Sequence, residues 1–414
     1  MARKMKDRGI EWIGEIPEGW EVVQLKRFAE VHNGREIDVE VDSTDSSAVG
    51  VYGSGGVFKY TNRAQYSGKA VLFGRKGTLG KPLYVEGQLW AVDTMYFLTY
   101  SNRLLEEFSY YQFLAFNWAP YITHTAIPSV VASEIVACYF PIPPLEEQAK
   151  IADYLDNGCA SLDTILDKTR SSIEEYKKLK QAVITQAVTK GVRGKREMKD
   201  SGVEWIGEIP KKWNRCKLNS ICTFINGDRS KNYPSSEDFQ DIGIPFIGAD
   251  SLNGFFVDTY SARHISPAKY ASMGGLKIAH GDILYTLRGS TIGKNAIANF
   301  NDGTIASSLV GIRVKSPFLA SSSFLFYWLN SLNEFVQRDL CINGSTAPNL
   351  SAENVAQFFI YIPDITEQHE IADYLDAKCA EIDKLIAKKE QLVKELDSYK
   401  KSLIYEVVTG KREV

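Results

Sequence analysis

The feature that most constrains this chain is a long heptad segment carried twice. Residues 145–189 follow Pro143-Pro144 and begin Leu-Glu-Glu-Gln-Ala-Lys-Ile-Ala-Asp-Tyr-Leu-Asp. A second copy starts at Ile365 with Ile-Thr-Glu-Gln-His-Glu, and its hexapeptide 371–376 is identical to 151–156, an offset of 220. In the first copy Leu155, Leu162, Thr169, Tyr176 and Val183 fall seven apart, beside a companion seam of Cys159, Leu166, Ile173, Lys180 and Ala187. The second copy repeats both rows, with Leu375, Ile382, Lys389, Leu396 and Leu403 beside Cys379, Ile386, Val393, Lys400 and Val407. Rows spaced three and four predict a matched pair of coiled-coil helices, rather than ordinary amphipathic helices buried on a domain. Prolines stand ahead of each copy, Glu146, Glu147 and Glu367 suit the positive end of a helix dipole, and Gly191 and Gly410 supply stops. Each helix should run about 66 Å at about 1.5 Å per residue.

A second repeat opens each half. Residues 5–17 read Met-Lys-Asp-Arg-Gly-Ile-Glu-Trp-Ile-Gly-Glu-Ile-Pro and residues 198–210 read Met-Lys-Asp-Ser-Gly-Val-Glu-Trp-Ile-Gly-Glu-Ile-Pro, with Trp20 and Trp213 at matching places beyond. The offset here is 193, so the stretch between opening repeat and helix is 27 residues longer in the second half (220 − 193). Both stretches mix short β-like runs (70–73, 82–85 and 95–99; 242–248, 283–287 and 304–314) with helix-like ones (104–118; 322–333). They share turns more than sequence. Arg75-Lys76-Gly77-Thr78-Leu79-Gly80-Lys81 matches Arg288-Gly289-Ser290-Thr291-Ile292-Gly293-Lys294, and Ala126-Ile127-Pro128-Ser129-Val130 matches Thr346-Ala347-Pro348-Asn349-Leu350. The expected class is α/β: two globular α/β domains separated by two long antiparallel coiled-coil helices, with pseudo-two-fold symmetry. The expected boundaries are 1–143, 144–190, 191–363 (opening repeat 198–213 included) and 364–414.

No run of 18 apolar residues spans a membrane, the charged start lacks the apolar core of a signal peptide, and six cysteines without a Cys-x-x-Cys fit a reducing cytoplasm. The net charge of −3 does not announce a nucleic-acid binder; its distribution is more telling, although a single basic stretch would read as a solvated surface run. Residues 46–85 hold no acid, against Lys59, Arg63, Lys69, Arg75, Lys76 and Lys81. Residues 259–301 hold only Asp282, against Arg263, Lys269, Lys277, Arg288 and Lys294. A matching basic stretch in each half suits a polyanion, because cations that neutralise phosphates release counterions.

Catalytic patterns are missing from the sequence. The Gly-Lys runs fail the phosphate-loop spacing, and Pro82 replaces the hydroxyl residue that holds Mg²⁺. No cluster has metal-ligand spacing, no Gly-x-Ser-x-Gly elbow occurs, and no Asn-Pro-Pro-Tyr adenine-methylation element is present; His124 and His264 read as structural. The basic turns suit phosphates through Arg75, Lys76, Thr78 and Lys81, and through Arg288, Ser290, Thr291 and Lys294, although a plain glycine hairpin would look the same. Base edges are read by Arg, Lys, Asn and Gln, for which the turns supply Asn33, Arg35, Asn62, Arg63 and Gln65, then Asn226, Arg229, Lys231, Asn232 and Arg263.

With these motifs covering both halves, the chain resembles the specificity subunits of type I restriction–modification enzymes. The resemblance rests on the duplicated Glu-Trp-Ile-Gly-Glu-Ile-Pro, the Arg-x-Gly/Ser-Thr-x-Gly-Lys turns and the Glu-Gln helix start leading to Ile-Ala-Asp-Tyr-Leu-Asp. It implies two target-recognition domains, each reading half of a bipartite double-stranded DNA target. It also implies spacer helices that bind two modification (methyltransferase) subunits, with a restriction subunit possible. No catalysis and no cofactor are expected on this chain itself; S-adenosylmethionine and ATP would sit on the partners. Partner contacts are expected along the helix seam, at Leu155, Leu162, Leu166, Ile173, Tyr176, Leu375, Ile382, Ile386, Val393 and Leu396. One departure is the second helix end, where Val-Thr-Lys-Gly shortens to Val-Thr-Gly. The alternative reading is a coiled-coil scaffold whose globular ends bind proteins; a nuclease in its own right is a third.

Overall fold

The structure is a computed structural model describing residues 3–9, 13–123, 125–342 and 349–414. Trp12, His124 and the run 346–348 therefore lie outside the described residues. Five helices organise it: α1 (Glu106–Ala115), α2 (Leu145–Lys190), α3 (Ser322–Leu329), α4 (Leu332–Asp339) and α5 (Ile365–Val408). The two long ones, α2 and α5, end where the sequence places their stops, with Gly191 at φ +73 and Gly410 at φ +71 in the left-handed conformation that a glycine C-cap requires. No helix of the described residues is long and apolar enough to cross a membrane.

The chain forms two compact units, residues 1–171 with 389–414 and residues 172–388. The expected boundaries fall at the ends of the long helices, whereas the units close inside both helices, so each unit owns a portion of α2 and a portion of α5. In unit 1 Asp163 pairs with Lys400 at 2.6 Å and Arg170 with Asp397 at 3.4 Å. In unit 2 Lys180 pairs with Asp383 at 2.6 Å and Arg193 with Glu370 at 2.6 Å. Numbers rise on one helix as they fall on the other, which makes the pairing antiparallel in each unit. Leu155, Cys159, Leu166, Thr169, Ile173, Ala187, Leu375, Cys379, Ile382, Leu403 and Val407 are buried, and the other seam positions are half-buried, so the heptad rows do face the packing side. Burial of each such Leu, Ile or Val stabilises by about 1.5–3 kcal/mol.

Unit 1 is built on a six-stranded sheet of β1 (Ala29–Asn33), β2 (Val49–Gly53), β3 (Gly56–Thr61), β4 (Tyr66–Gly74), β5 (Leu83–Ala91) and β6 (Met95–Tyr100), in the order β1-β6-β4-β5-β2-β3. Only the β2–β5 pairing is parallel. Its main core joins Phe73, Phe108, Phe113 and Phe140 to Leu155, Leu403 and Val407 of the long helices.

Unit 2 divides the same plan into two four-stranded sheets. Its strands are β7 (Cys222–Asn226), β8 (Phe239–Gln240), β9 (Ile244–Ile247), β10 (Arg263–Ile265), β11 (Ile283–Thr286), β12 (Asn295–Ile297), β13 (Thr304–Ile305) and β14 (Leu309–Val314). The orders are β7-β14-β11-β12 and β8-β10-β9-β13, again with one parallel pair, β9–β13. Two expected elements are interrupted. The run 304–314 breaks between β13 and β14, and the helix expected over 322–333 stops at Asn330, whose side chain turns back to Phe326 O at 2.8 Å before α4 begins.

The repeated motifs turn out to be joints. The opening repeat forms a small hairpin in each unit, Met5–Asp7 on Glu15–Pro17 and Met198–Asp200 on Glu208–Pro210. The buried indoles that follow reach the helix starts: Trp20 Nε1 donates to Glu147 at 3.1 Å and Trp213 Nε1 to Glu367 at 3.3 Å. The adjacent glutamines close the same joint. Gln148 accepts from Leu105 N and donates to Pro143 O; Gln368 accepts from Ser321 N and donates to Pro363 O. Asp156 and Asp376, the last residues of the repeated hexapeptide, accept from Tyr111 Oη at 2.6 Å and Tyr327 Oη at 2.5 Å. Burial, then the facing carboxylate, raises both phenols above their ordinary range, so each Tyr stays a donor.

Candidate nucleic-acid interface

In unit 1 the candidate residues meet where β1 ends. Asn33 is the last residue of β1, and Gly34 N then donates to Met95 O and Arg35 N to Ala91 O, both at 2.9 Å. A Cβ on Gly34 would lie 1.9 Å from Val92 O, so only glycine fits. The basic turn arrives on the same segment, because Arg75 N and Lys76 N both donate to Thr94 O, at 2.8 and 3.3 Å. The proline loop closes on the turn: Gly77 N donates to Pro128 O at 2.9 Å and Val130 N to Arg75 O at 3.1 Å. Asn33, Arg35, Lys76, Thr78 and Lys81 are exposed on this platform, and Arg75 stacks on Tyr96 with its guanidinium carbon 5.7 Å from the ring centroid.

Unit 2 rebuilds the platform. Asn226 ends β7, Gly227 N donates to Leu309 O at 3.4 Å, and a Cβ on Gly227 would lie 2.5 Å from Ala306 O. Leu287 N donates to Ser308 O at 2.8 Å, Leu350 N to Leu287 O at 3.0 Å, and Arg288 pairs with Asn349 in the same antiparallel bridge that joins Lys76 to Ser129. Arg229, Lys231, Arg288, Ser290 and Thr291 are exposed. Backbone N–H of Ser230 holds the buried Asp228 carboxyl below the usual carboxylate range, and this charged anchor also takes Gly274 N at 2.8 Å, fixing the loop that carries Arg229 and Lys231.

The Asn-Gly strand ends are a further repeat that sequence reasoning missed as a repeat. Asn33-Gly34 and Asn226-Gly227 share the offset of 193 with the opening segments (226 − 33), and that shared offset was the available signal.

Several other expected DNA-facing side chains are occupied internally. Gln65 donates to Asn33 O at 2.9 Å and accepts from Ala91 N at 3.0 Å; Asn232 donates to Ser272 O at 2.8 Å. Lys294 is held by Asn253 Oδ1 at 2.7 Å and Ala249 O at 3.1 Å. Arg263 lies on the Phe239 ring at 4.0 Å, on a different sheet from the Arg288 turn. Arg63 is exposed between β3 and β4. The basic stretches are narrower than they read, because Lys59 pairs with Glu40 at 2.7 Å, Lys69 with Glu107, and Lys269 with Asp238 at 3.0 Å.

Of the seam residues expected to bind partners, Leu155, Leu166, Ile173, Leu375 and Ile382 are buried, and Leu162, Tyr176, Ile386, Val393 and Leu396 are half-buried. The exposed apolar residues of the long helices are different ones: Leu145, Tyr154, Ile165, Leu392 and Tyr399 in unit 1, and Leu179, Tyr374 and Leu385 in unit 2. Among the described residues no group of three or more His, Cys, Asp or Glu side chains could hold a metal ion.

Comparison with known proteins places the family and the fold. The chain is 26% identical over 431 residues to the type I restriction enzyme MjaVIII specificity subunit of Methanocaldococcus jannaschii, covering 96% of this chain and 94% of that one. It is 30% identical over 243 residues to the EcoBI specificity subunit of Escherichia coli, covering 56% of this chain and 49% of that one. Its fold is similar to a chain from a type I R-M system solved for its complex assembly and conformational transition, with a TM-score of 0.70 at 18% identity over 96% of this chain and 99% of that one. It is also similar to the HsdS subunit from Thermoanaerobacter tengcongensis, with a TM-score of 0.50 at 18% identity over 96% and 98%. The model of the type I restriction modification DNA specificity domain matches twice, over residues 17–175 and 210–395, and the chain belongs to that family.

Proposed function

We propose that this chain is the DNA-reading subunit of a type I restriction–modification complex, that each unit reads one half of a bipartite double-stranded target, and that the chain directs methyltransferase subunits to it without chemistry of its own. The observation that carries the reading is the duplicated platform. A strand-end Asn-Gly and a basic turn with two positive-φ glycines bond to one backbone segment in each unit, presenting exposed Arg and Lys, with Asn33 exposed in unit 1 and Asn226 half-buried in unit 2. Backbone amides and cations of this kind suit phosphates, and Asn and Arg suit adenine and guanine edges. Different side chains on the two platforms imply two different half-sites.

The partner reading rests on repetition at exposed positions. Asp153-Tyr154 and Asp373-Tyr374 are identical yet exposed, so neither core explains them. A surface repeated once per unit suits two copies of one partner, here the modification subunits that would hold S-adenosylmethionine. Restriction subunits, where present, would bring the ATP chemistry.

The test is duplex binding by the full chain with its modification subunits, titrated across salt concentrations. A sequence-specific component on top of a steep salt slope is expected. Salt-independent capture of proteins, with no preference among duplexes, would move the scaffold reading ahead.

A further inference from the structure

The second basic turn rests on an ion pair between a buried carboxylate, Glu334, and a half-buried guanidinium, Arg338. Gly293, the turn's second glycine, sits at φ +89, and a Cβ built there would lie 2.7 Å from the guanidinium carbon of Arg338. Arg338 reaches this seat from α4, donating from Nη1 to Ile292 O at 3.2 Å and from Nε to Glu334 Oε1 at 2.9 Å. Glu334 is 2% exposed and also accepts from the hydroxyl of Tyr285, on the strand that leads into the turn. On the far side, Asn330 Nδ2 donates to Asn295 Oδ1 at 3.0 Å, just after the turn. Strand, turn and exit are therefore all gripped by the α3–α4 segment.

Unit 1 has the same seat with another occupant. Gly80, at φ +70, faces Trp118, whose Cδ1 would lie 3.2 Å from a built Cβ, and Trp118 Nε1 donates to Phe113 O at 3.1 Å. Burying the Glu334 carboxylate to hold a cation here is a costly way to fill a space that an indole fills without charge. What Arg338 adds is direction, since its planar fork holds Ile292 O and Glu334 at once.

We propose that Arg338 is a positioning residue for DNA recognition. Docked on Gly293 and bonded to Ile292, it sets the conformation in which the turn offers Arg288, Ser290 and Thr291 to a DNA phosphate. This rests on the DNA-binding reading of the turn given above.

Two variants of the full chain, assembled with its modification subunits, test the role. Arg338→Lys keeps a cation beside Glu334 but lacks the planar fork that spans Glu334 and Ile292 O. The double variant Glu334→Gln/Arg338→Met leaves no lone buried charge, so its fold should survive. Readouts are thermal stability, hydrogen exchange at the amides of residues 289–295, and affinity for a duplex carrying the target. With melting within a few degrees of wild type, turn exchange should speed up and affinity fall, each by about tenfold, about 1.4 kcal/mol. A folded variant that binds the duplex as wild type does overturns the role of Arg338. A parallel variant, Arg288→Ala/Ser290→Ala/Thr291→Ala, separates the two readings. If it also binds normally, the turn does not contact DNA; if it alone loses affinity, the turn stands and Arg338 does not position it.

Discussion

Replacing Arg75 and Lys76 together by Ala should weaken DNA binding far more than replacing Lys59 and Lys69, although both changes remove two positive charges. The contrast comes from where the charges are. Lys76 is exposed and Arg75 half-buried on the platform, whereas the ammonium groups of Lys59 and Lys69 already face Glu40 and Glu107. Removing one cation that neutralises a phosphate lowers the slope of log affinity against log salt by about 0.9. At about 0.15 M salt that amounts to about fivefold per cation, or about thirtyfold for Arg75→Ala/Lys76→Ala. Loss of the Arg75–Tyr96 stacking costs about 0.5–1 kcal/mol of stability, too little to unfold the unit. The assay is fluorescence anisotropy of a labelled target duplex, titrated with the assembled complex at several KCl concentrations. Lys59→Ala/Lys69→Ala should leave the slope nearly unchanged. Equal slopes for the two double variants would refute the reasoning, because the gross charge of the stretch, rather than the platform, would then set affinity.

Gly34→Ala or Gly227→Ala drives a methyl group into a backbone carbonyl, and each should destabilise its own unit by more than about 2 kcal/mol, read as a lowered melting temperature with loss of the matching half-site. Tyr327→Phe removes a hydrogen bond to a carboxylate and should cost about 1.5–3 kcal/mol in denaturant unfolding, as should Tyr111→Phe in the other unit. Asp228 has its folded pKa below the ordinary 3.8, so its stabilising contribution is present above pH 3.8 and is lost as pH falls below that value; Asp228→Asn should flatten the stability profile of unit 2 in that acid range. Tyr154→Glu with Tyr374→Glu should impair assembly with the modification subunits, measured by native mass, while leaving the melting temperature within a few degrees.

The long helices were legible because their information is periodic and local. Leu155, Leu166, Leu375 and Ile382 repeat at heptad spacing and are buried as that spacing requires. The joints were visible only as repeats. Nothing local in Glu147-Gln148 says that Glu147 receives Trp20 and Gln148 receives Leu105 N, since both partners are distant in the chain. The platform was half legible. Arg75, Lys76, Asn33 and Arg35 were singled out as turn residues, but their meeting depends on hydrogen bonds to the 91–95 segment. Lys294 and Arg263 read as free cations because the groups that occupy them, Asn253 and Phe239, lie 41 and 24 residues away (294 − 253; 263 − 239). Heptads mark apolar faces without saying which partner covers them; Leu155 and Leu375 pack into the cores of their own units.

The most direct test of the central claim is base-modification sequencing of host DNA with and without this chain, its modification subunits intact and active. The expected result is that one bipartite adenine-methylated motif disappears when the chain is removed, and that changing platform residues of one unit alters one half of that motif. An unchanged methylation pattern with active partners would contradict the claim that this chain directs them.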